Sequence, residues 1–322
     1  MSVRLATILG MLVAGAASFQ AVALDLQAHR GGRGLMPENT LAAFANALAM
    51  GVTTLEMDVG ITSDGIAVVC HDRALNPALT RDGSGQWLKE TGPLVKTLSL
   101  AEVQSYDVGR LNPDHTYGKG FPRQQAQDGQ RIPRLAAVFA LARELGANDV
   151  QFDIETKLAP HRPGDTVAPE EFVRIMLAVI READVVDRVM IQSFDWRTLQ
   201  LFQAAEPRIR TVYLTQQSQN SNTVADPAWT AGRLQRDYPS IGHMVKAAGG
   251  TVWAPNFRDI DQAAVKTAQS LGIRVMPWTV NEAADMRRLL GWNVDGIITD
   301  YPDRLRTVMA ERGMPLPAGV RK

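Results

Sequence analysis

Cysteine occurs once in the 322 residues, at Cys70, so neither an intramolecular disulfide nor a cysteine-rich metal site can form. Net charge is missing as well: 34 Lys and Arg stand against 34 Asp and Glu. Without a basic excess to track a phosphate backbone, nucleic acid is not an expected partner. Aromatics are scarce at 6%. No apolar run after the first two dozen residues is long enough to cross a bilayer, so no stable membrane insertion is expected. What is there is ordinary globular composition, 45% hydrophobic and 21% charged, which excludes a largely disordered or collagen-like chain.

The amino terminus reads as a leader. Arg4 precedes the apolar run Leu5 to Ala17, and Ala21-Val22-Ala23 forms an A-x-A cleavage pattern. The run falls short of the roughly 20 residues that span a bilayer, so a secretory signal peptide cut after Ala23 is expected rather than an anchor helix. Residues 24–322 would then fold in the periplasm or outside the cell, where a lone thiol suits an oxidising medium.

From residue 24 onward, short strand-like runs alternate with helical patterns. The strand candidates are residues 24–28, 53–59, 150–154, 188–192, 209–214, 251–254, 273–276 and 294–298. Helical patterns follow nearly all of them, such as Leu41 to Met50, which ends at Gly51. Alternation of this kind predicts an α/β fold with a parallel sheet, and eight units in one domain-sized stretch match a closed (β/α)8 barrel. A doubly wound open sheet is the alternative. Two turn-rich stretches break the repeat: residues 73–131, read as an insertion after the second strand, and residues 216–240 after the fifth. Both lie on the side where strands exit toward helices, the face on which such barrels build active sites. The tail from Met314, with two prolines, is expected to be loose.

Residues able to carry chemistry gather at the predicted strand exits. His29-Arg30-Gly31-Gly32 ends the first strand; an arginine fork beside flexible glycines suits an anion, although a histidine there is commonly a structural hydrogen-bonder. Glu56 and Asp58 sit at i and i+2 of the second strand and project from one face. Two such carboxylates repel unless a cation lies between them, whether a metal ion or a basic side chain. Asp153, Glu155 and Lys157 repeat the device. With Glu56 and Asp58, Glu155 would give three oxygen ligands, a set that suits Mg²⁺ or Ca²⁺ and not zinc. Asp153 would join the same acidic cluster at the barrel mouth. Lys157 would bind an anionic group beside the metal or simply pair with an acid. His71-Asp72 follows the short strand Ile66 to Cys70, and with His29 it would supply a proton acceptor and a proton donor for phosphoester chemistry. Asp72 is a weak candidate to orient His71, since neighbours on an extended chain point apart. Ser193-Phe194, Trp278-Thr279 and Thr299-Asp300 end later strands and are rim candidates, Trp278 as a pocket wall. Solvated roles are expected for His115, His161 and His243, and an inert thiol for Cys70.

With these residues placed, the chain resembles the glycerophosphodiester phosphodiesterase family. The resemblance rests on His29-Arg30-Gly31-Gly32, Pro37-Glu38-Asn39-Thr40, Glu56-Met57-Asp58-Val59, Thr62-Ser63-Asp64-Gly65 and Val68-Val69-Cys70-His71-Asp72. It continues through Asp153 to Lys157, Gln192-Ser193-Phe194, Trp278-Thr279-Val280 and Asp295 to Pro302. It implies a TIM-like barrel with a small inserted region after the second strand. It also implies a divalent cation on Glu56, Asp58 and Glu155, and His29 and His71 as the acid–base pair. Arg30 and Lys157 would contact phosphate and Trp278 the substrate. The implied reaction converts a glycerophosphodiester to an alcohol and sn-glycerol 3-phosphate. Many members continue the second His-Asp with Arg-Thr-Thr, whereas this chain reads Arg73-Ala74-Leu75, a departure that touches substrate preference rather than chemistry. A phospholipase of the phosphatidylinositol or sphingomyelin type on a similar barrel is the alternative enzyme. A two-lobed periplasmic binding protein is the non-catalytic one, and no composition break marks a hinge for it.

Overall fold

The computed structural model describes residues 24–219 and 221–320, so the leader read in residues 1–23 lies outside the described residues. Among the described residues eleven strands are formed: β1 (Asp25–Ala28), β2 (Thr54–Ile61), β3 (Ala67–Val69), β4 (Gln151–Thr156), β5 (Val189–Ser193), β6 (Arg210–Thr215), β7 (Gln217–Ser218), β8 (Ser221–Asn222), β9 (Val252–Pro255), β10 (Arg274–Val275) and β11 (Gly296–Thr299). Eight of them pair side by side, all parallel, in the order β10-β9-β6-β5-β4-β2-β1-β11. The two ends of that order meet through backbone bonds: Asp295 N–H donates to the Val275 carbonyl at 2.9 Å, Ile298 N–H to Pro277 at 3.1 Å and Val280 N–H to Ile298 at 3.0 Å. The sheet is thus a nearly closed eight-stranded barrel of the TIM type, as the alternating pattern predicts, and the open-sheet alternative is set aside.

Alternation along each strand separates two cores. Leu55, Met57, Phe152, Ile154, Val189, Ile191 and Tyr213 point outward and pack under the helices, while Met190, Val212, Leu214, Val252, Ala254, Met276 and Ile298 form a distinct inner cluster. The helices are α1 (Leu41–Met50), α2 (Leu100–Val103), α3 (Thr116–Lys119), α4 (Leu135–Glu144), α5 (Pro169–Glu182), α6 (Trp196–Ala205), α7 (Ile241–Ala247), α8 (Gln262–Ser270), α9 (Ala283–Gly291) and α10 (Pro302–Glu311). Local chemistry fixes their ends. In α1 the Thr40 hydroxyl caps the Ala43 N–H, and Gly51 takes the left-handed conformation that closes the helix. Ala43, Phe44, Ala47 and Leu48 form its buried stripe. In α5, Pro169 opens the first turn with Glu170 and Glu171 beside it, where the helix dipole favours acids.

Between β2 and α4, β3 folds back antiparallel on β2, and residues 73–131 carry α2 and α3. This stretch packs on a small core of its own, Val68, Leu75, Val95, Val103 and Ile132. The carboxyl-terminal tail corrects an expectation. Val320 N–H donates to the Leu48 carbonyl at 3.0 Å and Arg306 holds the Pro317 carbonyl at 2.8 Å, so residues 314–320 are strapped across the loop after α1. Two prolines shorten the list of backbone donors there but do not free the segment.

Candidate active site

The register of β2 against β4 places the acidic residues. Asp58 lies opposite Glu155, and Glu56 lies one step lower, opposite Asp153. Carboxylate oxygens of Glu56, Asp58 and Glu155 all come within 4.8 Å of one another, and all three residues are buried. Asp153 does not join them. It shares their face but lies two residues, about 7 Å, deeper in the lumen than Glu155, where both its oxygens lack a hydrogen-bond partner. Burial, then the nearby Asp25, pushes its carboxyl well above the usual range.

Each member of the trio is oriented by specific donors. Glu56 accepts from the Gln192 amide at 2.6 Å and from the Arg30 backbone N–H at 2.7 Å. Asp58 accepts from Asn39 at 3.0 Å, with Arg30 Nε 3.2 Å away. Glu155 accepts from Lys157 Nζ at 2.8 Å. Burial and the Asp58 charge raise Glu56 well above the ordinary value. Burial also lifts Glu155 to about 7, against the attraction of Lys157. For Asp58 burial works the same way, but Arg30, His71 and Lys157 outweigh it and hold the carboxyl well below its usual range. Asp58 Oδ1 is buried with no hydrogen-bond partner. Three convergent hard oxygen donors, one of them unsatisfied, fit a divalent cation such as Ca²⁺ or Mg²⁺.

His29 enters from the end of β1, in a tight turn that Arg30 completes in the left-handed region at φ 52°. Gly31 follows at φ 78°, where a Cβ would sit 2.8 Å from Ala43 Cβ. The turn aims the Arg30 N–H at Glu56 and leaves His29 Nε2 3.9 Å from Glu56 Oε2. The other ring nitrogen, Nδ1, is 2.6 Å from Asp300 Oδ1. Burial, then Arg33, lowers His29 to about 4, so the neutral ring donates from Nδ1 and keeps Nε2 as an acceptor. His71 has a parallel support: Nδ1 is 2.9 Å from Asp72 Oδ1, and Asn76 holds the other Asp72 oxygen at 2.7 Å. The expectation that adjacent residues point apart fails here because the chain bends immediately after β3. Burial, then Arg30, lowers His71 as well.

His29, Arg30, His71, Glu155, Lys157, Phe194 and Trp278 line one cavity of about 120 Å³ together with Glu56. Trp278 donates its indole N–H to the Ala254 carbonyl at 2.9 Å and meets Phe194 edge-on with ring centroids 5.4 Å apart, forming the apolar wall. Lys157 makes the acid pair foreseen as its plainer role and still faces the cavity. The Arg30 guanidinium is held by Glu38 at 2.7 Å. A larger cavity of about 690 Å³ opens at the opposite end of the barrel beside Asp25, Arg210 and Arg274, but it holds neither histidine nor the carboxylate trio.

Several supporting residues escape sequence reasoning. Arg33 donates to Asp300 at 2.7 Å and to the Tyr117 hydroxyl at 2.9 Å, and Tyr117, from α3 of the insertion, also hydrogen-bonds Glu38. Asn281 holds the second Asp300 oxygen at 2.7 Å. The roles of Glu38, Asn39 and Gln192 belong with these. His161, exposed, pairs with Asp226, and His115 caps α3. His243 stays on α7 beside Ser240. The Cys70 thiol is pushed up to about 12 by burial, in keeping with an inert role.

Comparison with known proteins agrees with this geometry. Residues 29–304 match the model of the glycerophosphoryl diester phosphodiesterase family. A glycerophosphodiester phosphodiesterase of Caldanaerobacter subterraneus subsp. tengcongensis is 30% identical over 286 residues, covering 89% of this chain and 98% of that protein. The crystal structure of a putative glycerophosphoryl diester phosphodiesterase from Silicibacter pomeroyi superposes with a TM-score of 0.83 at 37% identity, covering 91% of this chain and 95% of the other. A phosphodiesterase from Oleispira antarctica, in complex with the product sn-glycerol-3-phosphate, shares the fold at a TM-score of 0.66 and 21% identity, covering 89% of this chain and 97% of that one. The chain belongs to the glycerophosphoryl diester phosphodiesterase family and is a phosphoric diester hydrolase.

Proposed function

We propose that this mouth hydrolyses glycerophosphodiesters by acid–base catalysis between His29 and His71, with a divalent cation held by Glu56, Asp58 and Glu155. The observation that carries the reading is the convergence of two carboxylate-backed histidines with Glu56 and Glu155 on one cavity of about 120 Å³, Asp58 bringing a third carboxylate within 4.8 Å of those two. A bound Ca²⁺ or Mg²⁺ would supply positive charge to offset what builds on the phosphoryl oxygens. Arg30 and Lys157 would hold the phosphate, and Trp278 with Phe194 would cover the carbon skeleton of the glycerol. His29, fixed as the Nδ1–H tautomer by Asp300, accepts a proton at Nε2 from the attacking oxygen. His71 borders a second, wider cavity that His29 does not reach, so His71 is the group placed to protonate the departing alkoxide as the P–O bond breaks. Asp72 stabilises its protonated ring. The products are an alcohol and sn-glycerol 3-phosphate, the molecule bound in the Oleispira protein.

The phospholipase alternative needs an apolar rim able to meet a bilayer. Among the described residues Leu316 is the one exposed large hydrophobic, and it stands on the tail. No helix among them is long and apolar enough to cross a membrane. Export is part of the same proposal and rests on Leu5 to Ala17 and Ala21-Val22-Ala23. An amino terminus at Leu24 in protein recovered from the periplasm or medium would support it.

The test is hydrolysis of bis(p-nitrophenyl) phosphate and glycerophosphocholine with Ca²⁺ or Mg²⁺ and then with excess EDTA. Turnover should stop in chelator, and His71→Ala should fold yet lose about 10²–10⁴ in kcat. Full activity in EDTA would overturn the metal role of the trio. Wild-type turnover in the variant would remove His71 from the mechanism.

A further inference from the structure

Beside the small cavity lies one of about 570 Å³ that shares His71 and Lys157 with it. The rest of its wall comes from the insertion and from the loop after β4, which brings Arg162 and Asp165 against Arg73, Asn76 and His115. The smaller cavity, with its aromatic wall, suits the invariant glycerol phosphate. The wider one has room for the group that varies from diester to diester.

The charges that face the wider cavity are largely spent on one another. Asp165 takes Arg73 at 3.1 Å. Asp72 takes His71 at 2.9 Å and Asn76 at 2.7 Å. Lys157 is held by Glu155 at 2.8 Å, and His115 Nδ1 accepts the Tyr117 N–H at 3.2 Å. Arg162 is the exception, exposed and with no ion pair and no side-chain hydrogen bond among the described residues. No Phe, Tyr or Trp lines this cavity, so it lacks the rings that bind a quaternary ammonium best.

We propose that the wider cavity is the leaving-group subsite and that Arg162 makes it prefer diesters whose alcohol carries a carboxylate. The proposal rests on the diesterase reading and deepens it by naming the headgroup class. A guanidinium with no internal partner offers a carboxylate two parallel donors, while Asp165 is paired with Arg73 and the Asp72 oxygens are occupied by His71 and Asn76.

Glycerophosphoserine and glycerophosphoethanolamine differ by one carboxylate, which makes them the probes. Steady-state kinetics on the full chain with its cation should give a kcat/KM ratio of about two- to fivefold in favour of the serine diester at low salt, the selectivity an ion pair at an exposed site sustains. Added NaCl should shrink that ratio, since solvent-facing charges are screened over about 8–10 Å. Arg162→Gln should bring the ratio near one, and Arg162→Lys should keep part of it. A wild-type ratio of one or below, or a ratio that Arg162→Gln leaves unchanged, overturns the subsite. Equal hydrolysis of both diesters sinks the headgroup inference alone, whereas hydrolysis of neither sinks the diesterase reading on which it stands.

Discussion

Asp300→Asn is the sharpest probe of how the site is held. Asp300 is 1% exposed, and one of its oxygens, Oδ1, serves both His29 Nδ1 at 2.6 Å and Arg33 Nε at 2.7 Å. The other accepts from Asn281 at 2.7 Å. Burial opposes the charge, but His29 and Arg33 outweigh it and hold the carboxyl well below its usual range. An amide in its place fails in either orientation. With its oxygen toward His29 and Arg33, its NH₂ meets the Asn281 NH₂, a donor against a donor. Flipped, it presents NH₂ to the Arg33 guanidinium and to His29, and forces the imidazole to accept at Nδ1. The proton then sits on Nε2, the atom that should be receiving one. Losing the carboxylate also leaves the Arg33 charge buried without its counter-ion, which costs about 3–5 kcal/mol where a buried pair is broken, or about 1.5–3 kcal/mol if only a charged hydrogen bond is lost. We expect urea denaturation to report a loss of about 3 kcal/mol. At temperatures where the variant stays folded, kcat should fall by about 10²–10⁴. A folded variant whose kcat remains within about twofold of the parent would refute the tautomer argument, whatever its stability.

Three further outcomes are expected. Asp72 is lowered to about 2, because its bonds to His71 and Asn76 outweigh burial. A depressed carboxyl stabilises the fold above its unfolded value near 4 and loses that contribution as pH falls from about 4 to 2. With the side chain 36% exposed, solvent holds the effect to about 1 kcal/mol. Denaturation of Asp72→Asn against the parent should show that gap at pH 6 and none near pH 2, and a gap independent of pH would contradict it. Tyr117→Phe removes the hydroxyl that joins Arg33 to Glu38, so the diester KM should rise about three- to tenfold with kcat little changed, and an unchanged KM would detach the insertion from the site. Gly31→Ala places a methyl 2.8 Å from Ala43 Cβ at a φ of 78°, so thermal melts should show a destabilisation of about 1–3 kcal/mol; a melting temperature equal to the parent's would mean the turn is not so constrained.

The barrel strands and the three convergent carboxylates were legible because both rest on local rules. A strand betrays itself by composition and flanking helices, and residues at i and i+2 share a face whatever the rest of the chain does. The same rule misplaces Asp153, because it says which face a residue takes and not how deep it sits. Asp153 lies two residues below Glu155, and its side chain is one methylene shorter than that of Glu56 at the same level, so it stays out of the trio. The supporting partners were illegible for a different reason. His29 and Asp300 are 271 residues apart, Glu56 and Gln192 are 136 apart, and Tyr117 reaches Glu38 across 79. Such pairings depend on barrel closure and on how the insertion folds over the rim, and no local pattern encodes either. Arg33 sits only four residues beyond His29, yet its role appears only once the left-handed turn at Arg30 has turned the chain back over Asp300.

The balance of charge at the mouth explains why its parts belong together. Glu38, Glu56, Asp58, Glu155 and Asp300 bring five carboxylates, while Arg30, Arg33 and Lys157 bring three cations that bridge them. Glu56 alone has no basic side chain as a bridging partner and is met by the Gln192 amide and a backbone N–H. With Glu56 and Glu155 counted as ionised, these eight groups carry a formal charge of two negatives in a buried site, and both histidines are lowered toward neutrality. Such a site would repel a diester anion outright. Adding a basic residue would cure the repulsion, but it would also tie up Asp58 Oδ1, the buried oxygen that now has no hydrogen-bond partner and only Lys157 at 3.6 Å. A dication on the trio would offset those two charges and leave Arg30 and Lys157 facing the cavity. The apolar half of the lumen, from Met190 round to Ile298, then adds no charge of its own beneath Trp278. Apart from Asp300 after β11, the charges stand on the β1, β2 and β4 side, so an anion entering the mouth would be drawn to one wall while its carbon skeleton rested against the other.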